Sequence, residues 1–404
     1  MKEKLKKDSF PPVGIDAMAF YTPGFYLDLK LLAEARGIDF NKYYIGLGQE
    51  KMAVIPPDED VVTMAADAGA KVLQKIDPNE IDLLLFATET AIDQSKAAGI
   101  FVHRLLNLQP KCRVVELKQA CYSATAGLQM ALPMLRESNK KVLLIASDIA
   151  RYGLNTSGES SQGGGAVAMV LSQNPRILEV EPESGYYTED VMDFWRPNYR
   201  EEALVEGKFS CDQYLKLLQK TWEIYSTSSH RTFSDHAQFC YHVSVPRLVE
   251  KAHQALIKLN GLPKLSKECL SEELRPSLQY GRATGNCYTA ALYLSLLSLL
   301  ENSPQDLTQQ RIGFYSYGSG CVGEFFSGIV QKNYQTMLDT AHNHAWLANR
   351  TPLNIETYEN FYNFRHSNTI AEPIKKEALE ISNVRKNRYR LSAILDHKRI
   401  YETQ

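Results

Sequence analysis

Residues 81–87 read Ile-Asp-Leu-Leu-Leu-Phe-Ala, and the elements that radiate from this run decide the fold class. Seven residues, nearly all apolar, make a short buried strand. Beyond it, 93–106 carries apolar residues at helical spacing, Arg113–Leu117 reads as a second strand, 122–135 as a helix and 141–146 as a third strand. Strands that alternate with connections of this length predict βαβ units and a mainly parallel sheet. Gly163-Gly164-Gly165 leads into a further strand at 166–171, and glycines there predict a close backbone approach. Pro175 and the acidic, Tyr-rich stretch after it place a boundary near 175.

Outward from this half, the chain has 404 residues, enough for two core-forming units of roughly 150–200 residues. We expect a charged tail over 1–11, one α/β half over 12–175 and a second over 176–404. Lys plus Arg number 45 and Asp plus Glu 47, a net charge of −2, which argues against a nucleic-acid or anionic-membrane partner. No apolar run approaches the ~18–20 residues of a membrane helix. The seven cysteines are odd in number, scattered and without CxxC, so a reducing cytoplasm is expected, with neither a disulfide framework nor a metal site. The basic run 375–390 reads as a solvated face.

The second half has its own set: a helix over 211–226, a helix over 234–259 interrupted at 243–246, a very apolar helix over 286–300 and a strand over 312–316. An internal echo joins the halves. Ala120-Cys121-Tyr122-Ser123-Ala124 and Asn286-Cys287-Tyr288-Thr289-Ala290 each open an apolar helix. This predicts a duplicated fold in which two buried helices face each other about a pseudo-twofold axis.

Cys121 stands between a strand and a helix. The helix end supplies unpaired N–H groups and a positive dipole, both of which favour thiolate, the nucleophilic form. A cysteine there is either such a nucleophile or a buried structural residue. A nucleophile of this kind needs an acid or base from elsewhere in the chain. His242, in the apolar run Phe239-Cys240-Tyr241-His242-Val243, is one candidate; His236 and His253 are others by spacing. Glu89 follows the strand 81–87, where open α/β sheets place ligands. Asn286 suits a helix cap or a hold on a carbonyl oxygen. Ser316-Tyr317-Gly318-Ser319-Gly320 permits a tight turn with exposed N–H groups. Gly163-Gly164-Gly165 is no dinucleotide fingerprint, since no GxGxxG follows the first strand, and P-loop, HExxH and GxSxG motifs are missing from the sequence.

Taken together these segments resemble 3-hydroxy-3-methylglutaryl-CoA (HMG-CoA) synthase, and the bacterial mevalonate-pathway form most. The resemblance is carried in order by Lys118-Gln119-Ala120-Cys121-Tyr122, residues 150–155 (ARYGLN), 187–190 (YTED), 193–197 (DFWRP), Gly285-Asn286 with Tyr288-Thr289, and 316–320 (SYGSG). It implies an α/β, thiolase-like fold whose two similar halves form a layered αβαβα core. It implies a catalytic set of Glu89, Cys121 and His242, with Asp39, Ser161 and Ser210 along the acyl or CoA channel. Arg247 and Lys251 would lie near the CoA phosphates, and Asn286 and Ser319 near the acetoacetyl group. The implied reaction joins acetyl-CoA, acetoacetyl-CoA and water into HMG-CoA and CoA, in a homodimer, with no metal or redox cofactor. Cys121 would carry the acetyl group, Glu89 would take the methyl proton, and His242 with Asn286 would polarise the ketone. N–H groups near Cys121 and Ser319 would hold the enolate oxygen, at ~3–4 kcal/mol per donor.

Two departures accompany the resemblance. The family follows its His with Val or Thr, then Pro-Phe and a Lys; here the run is His242-Val243-Ser244-Val245-Pro246-Arg247. Arg keeps the charge but not the geometry of Lys. Gln119 stands where the mevalonate enzymes tend to have Glu, and it is shared with synthases that condense on carrier-protein-bound acetoacetyl in polyketide β-branching. A ketoacyl synthase or thiolase would use Cys-His-Asn or Cys-His-Cys, against which Glu89 argues. An inactive scaffold would not need the intact set.

Overall fold

The computed structural model describes residues 11–365 and 389–403. The expected charged tail and most of the basic run 375–390 lie outside the described residues. The core is a sheet of nine strands: β1 (Val13–Tyr21), β2 (Ile81–Ala87), β3 (Arg113–Leu117), β4 (Lys141–Ala150), β5 (Gly163–Gln173), β6 (Leu178–Thr188), β7 (Gln238–Tyr241), β8 (Arg311–Gly318) and β9 (Val322–Val330). Their order is β7-β8-β9-β6-β1-β5-β4-β2-β3. From the middle outward the two sides repeat one pattern. β1 is antiparallel to β5, β5 to β4, and β4 parallel to β2. Likewise β6 is antiparallel to β9, β9 to β8, and β8 parallel to β7. The sides meet where Gly14 pairs with Glu179 and Ile15 with Leu178. β3, on the first side, has no counterpart among the described residues.

Helix α1 (Val61–Val72) packs on β1, β4 and β5, and α4 (Gly207–Ser229) on β6 and β9. Between these lie α2 (Ala98–Leu105) and α3 (Ser123–Glu137). The second half adds α5 (Pro246–Leu259), α6 (Lys267–Thr284) and α7 (Ala291–Asn302). The α3 and α7 helices touch through a hydrogen bond between Thr125 Oγ1 and the Tyr293 hydroxyl, 3.0 Å. After β9 the chain returns to the first half. Trp346 donates to Thr22 O, and a hairpin of Tyr389–Leu395 and Lys398–Thr403 sits on Asp60 and α2.

The echo is real but two residues out of register. It pairs Cys121 with Cys287, whereas the fold pairs helix start Ser123 with Ala291 and Ala120 with Tyr288, both at φ 43°. The two helices also differ. Every residue of α7 from Ala291 to Leu300 is buried, while α3 buries one face and leaves Met130 58% exposed.

Four expectations need correction. The sheet is not mainly parallel: five of its eight strand pairings are antiparallel and three parallel, and β8 and β9, for example, are joined by a short turn rather than a helical crossover. Residues 234–259 are not one interrupted helix: Gln238–Tyr241 forms β7, parallel to β8, and α5 begins at Pro246. Phe239, Cys240 and Tyr241 are all buried, which a strand between packed layers allows and a one-sided helix does not. The helix expected over 93–106 starts only at Ala98, because Asp93 Oδ1 accepts from the N–H groups of Ser95 and Lys96 and closes a turn there. The apolar 286–300 run begins as a 3-10 turn over Tyr288–Ala290 before α7.

Candidate active site

Glu89, Cys121, His242, Asn286 and Ser319 each sit beside one end of a core element. Glu89 follows β2 by two residues; His242 directly follows β7, the strand that occupies the same place in the second half. Cys121 precedes α3, and Ser319 follows β8. Asn286 precedes α7, placed by a close approach. A Cβ on Gly163 would fall 2.5 Å from Thr284 O and 2.8 Å from Asn286 N, so only glycine admits this contact of β5 with the second half.

These residues converge. Cys121 Sγ donates to Glu89 Oε1 at 3.0 Å. Cys121, His242, Asn286, Ser319, Ser161 and Ser210 all line one cavity of about 220 Å³, walled also by Tyr152, Phe194, Tyr288 and Tyr317. Asn286 Oδ1 accepts from Tyr288 N–H at 2.9 Å, which leaves its amide NH₂ for the cavity. Ser161 donates to Gly158 O and Ser210 to Asp193 Oδ2, so both hydroxyls are already tethered. Three expected binding residues stand apart. Asp39 is exposed and caps Asn41 N–H. Arg247 is paired with Glu250 and is not in the cavity wall. Lys251 is exposed, and its charge is felt by the Cys211 thiol in the cavity wall.

Burial sets the proton affinities. It pushes the Glu89 carboxyl up to about 8, reinforced by the nearby charge of Asp148. It pushes the Cys121 thiol well above its ordinary value, and the Glu89 charge pushes it further. The helix-end argument for a resting thiolate is therefore overturned: the thiol's own backbone N–H opposes these effects but does not outweigh them. Burial lowers His242 to about 4, so the ring is neutral across neutral pH. Its Nδ1 is enclosed without a hydrogen-bond partner among the described residues. Its backbone is pinned by His242 N–H to Tyr315 O, 2.8 Å, and by the Tyr214 hydroxyl to His242 O, 2.9 Å. The other candidate histidines are structural. His253 bridges Tyr241 and Glu273, and His236 lies between Tyr225 and Thr232 O.

Two buried aspartates to which the sequence reading gave no role shape the site. Asp148, at the end of β4, accepts from Thr88 Oγ1 (2.8 Å) and from the N–H groups of Glu89 and Thr90 (both 2.9 Å). Its other oxygen accepts from Thr289 N–H at 3.1 Å and from the Thr289 hydroxyl. One carboxylate thus fixes the backbone of Glu89 and the start of α7 in the other half. Asp193 accepts from the Tyr317 hydroxyl, the Ser210 hydroxyl and Gly320 N–H, and so shapes the turn that carries Ser319. Asp193 does fall within 193–197, a segment singled out above; Asp148 only adjoins 150–155. Among the described residues, no group of three or more His, Cys, Asp or Glu is placed to hold a metal ion, and no helix is long and apolar enough to cross a membrane.

A doubled α/β half with a thiol, a carboxyl and an imidazole gathered at its seam defines an acyltransferase of thiolase-like architecture. The comparisons narrow this. Residues 10–176 match the family described as hydroxymethylglutaryl-coenzyme A synthase N terminal, and residues 247–404 its C-terminal counterpart. The chain is 41% identical to the hydroxymethylglutaryl-CoA synthase of Enterococcus faecalis over 86% of its own length and 90% of that protein. It is 34% identical to a polyketide-biosynthesis 3-hydroxy-3-methylglutaryl-ACP synthase of Bacillus subtilis, over 86% of this chain and 87% of that one. A crystal structure of HMG-CoA synthase complexed with CoA superposes with a TM-score of 0.90 at 38% identity, covering 97% of this chain and all of that one. The chain belongs to the hydroxymethylglutaryl-CoA synthase family.

Proposed function

We propose that this chain condenses acetyl-CoA with acetoacetyl-CoA and water to give HMG-CoA and CoA, in the mevalonate supply of isoprenoids. The observation that carries the reading is the 3.0 Å contact of Cys121 with Glu89 at a cavity that His242 also lines. The Cys121 sulfur attacks the acetyl thioester, its thiol proton passes to the sulfur of the departing CoA, and acetyl-Cys121 forms. The acetyl methyl then lies beside Glu89, whose raised proton affinity suits a base for a weak carbon acid near neutral pH. The enolate carbon attacks the ketone of acetoacetyl-CoA, held by the neutral ring of His242 and the amide of Asn286. One proton leaves the methyl for Glu89 and one reaches the new alkoxide through His242. Water then cleaves the thioester and frees the thiol. The CoA thioesters are substrates, and no step calls for a metal or redox cofactor.

Intact-protein mass after mixing with acetyl-CoA, followed by a chase with acetoacetyl-CoA, tests this. A single acetyl adduct on Cys121 that clears as HMG-CoA appears is the expected result. An adduct that persists until an acetoacetyl carrier protein is added would replace it with the β-branching reaction. That second reading is favoured by Gln119, whose side chain donates to Ser319 O at 3.2 Å. No adduct at all would overturn both.

The homodimer belongs to this proposal too. β3 ends the sheet with its outer edge unpaired among the described residues, and Val115 (46%) and Met130 (58%) are exposed on β3 and on α3, the helix that follows it. Such an edge invites pairing with a second copy. All seven cysteines stand as free thiols, which supports a reducing, cytoplasmic setting.

A further inference from the structure

Ala120, the residue before the nucleophile, is held at φ 43°. An alanine disfavours this left-handed conformation by roughly tenfold in population. Such a conformation persists only where its surroundings over-determine it. Part of the restraint is local: Gln119 N–H donates to Ser123 Oγ at 2.6 Å, and that hydroxyl donates to Ala120 O at 2.8 Å. The rest comes from the other half of the molecule. Gly318 presses on the loop so closely that a Cβ there would fall 2.6 Å from both Gln119 O and Tyr122 Cβ. Next to Cys121, the Tyr122 phenol donates to Glu324 Oε2 at 2.6 Å. Glu324 lies on β9, is only 2% exposed, and sits opposite Ser316 of β8 in the register. Ser316 in turn accepts from Thr125 of α3 at 2.8 Å.

We propose that Glu324 is a positioning residue for the nucleophile: through the Tyr122 phenol it clamps residues 119–123 onto β8 and β9, keeping Ala120 left-handed and Cys121 Sγ against Glu89. A carboxylate accepting a phenol O–H inside the protein is a strong, directional bond. Without it the loop is free to relax toward the ordinary region, and the thiol moves away from the seam.

The test rests on the proposed acetyl transfer and is a double-mutant cycle. Acetylation of Cys121 is timed by intact mass at saturating acetyl-CoA in the parent chain, Glu324→Ala, Glu324→Gln, Ala120→Gly and Ala120→Gly with Glu324→Ala. We expect Glu324→Ala to slow acetylation about tenfold, the population factor above, with the apparent affinity for acetyl-CoA unchanged. Glu324→Gln, which keeps an acceptor oxygen, should lie between. In the Ala120→Gly background most of the loss should vanish, because glycine adopts positive φ freely. An undiminished rate in Glu324→Ala, or the same loss in both backgrounds, would overturn the clamp. Should Glu324→Ala not fold, Tyr122→Phe reads the same bond from its donor side. Should the parent chain take no acetyl group, the proposed function fails separately. The same variants are then timed by iodoacetamide alkylation of Cys121, with the same pattern expected and the same outcomes fatal.

Discussion

Glu89 owes its chemistry to its burial and to two neighbours. Desolvation and Asp148 raise it to about 8, and Cys121 gives it a proton donor. Its basic form therefore fills as pH rises toward about 8, so condensation measured at saturating substrates should climb between pH 6 and 8 and then level. Glu89→Gln should still acetylate Cys121, because removing the charge removes one cause of the thiol's raised proton affinity, but it should lose condensation. Mass spectrometry of the adduct beside an HMG-CoA assay separates the two steps. Condensation at the parent rate in the Glu89→Gln variant would place the base elsewhere. Asp148→Asn removes the charge that raises Glu89, so the rising limb should move to lower pH. It also sets an amide against Thr289 N–H, and the maximal rate should fall more than tenfold, a cost of about 1.4 kcal/mol or more for one disrupted buried bond.

Among elements, α1 and the terminal hairpin share one anchor. Asp60 accepts from the N–H groups of Val62 and Thr63, closing a capping box with Thr63, and also takes Arg399 and the Tyr401 hydroxyl. Asp60→Ala should cost about 1–2 kcal/mol from the cap alone. The hairpin bonds lost with it should show as faster hydrogen exchange over 389–403, read by mass spectrometry, while the exchange of α7 stays slow. Unchanged exchange in the hairpin would mean that apolar contacts, such as Phe101 with Tyr401 at 5.2 Å, hold it instead. Element type was legible where one period ran long enough, as in β2, α3 and α4. It failed at β7, where four residues cannot show a period and the neighbouring apolar run reads as helix. β1, β6 and β9 gave no signal of their own. β1 is buried throughout, so alternation is lost, and β6 is so polar that it reads as a boundary.

At the scale of the whole molecule, the two halves make the site by meeting. Glu89, Cys121 and Asp148 come from the first; His242, Asn286, Thr289 and Ser319 come from the second. The sheet's free edge at β3 belongs to this scale as well. Val115→Lys should turn the proposed dimer into a monomer in light scattering and lower acetylation, since β3 leads directly into the Cys121 loop. A parent chain already monomeric at micromolar concentration would remove the dimer from the proposal.

The amino-acid sequence by itself carried the local facts: five of the nine sheet strands and the doubling of the fold; the set Glu89, Cys121 and His242 it offered only through the resemblance of its ordered motifs. Strands and doubling follow from spacing and apolar pattern, which are local. Only the tertiary structure decided the register of the doubling, the strand that presents His242, and the roles of Asp148, Asp193 and Glu324. It also decided the protonation state of the thiol. Helix-end stabilisation is a local effect and can be read from a strand followed by a helix. Desolvation depends on everything packed around Sγ, and several of those neighbours come from segments more than a hundred residues away in the chain.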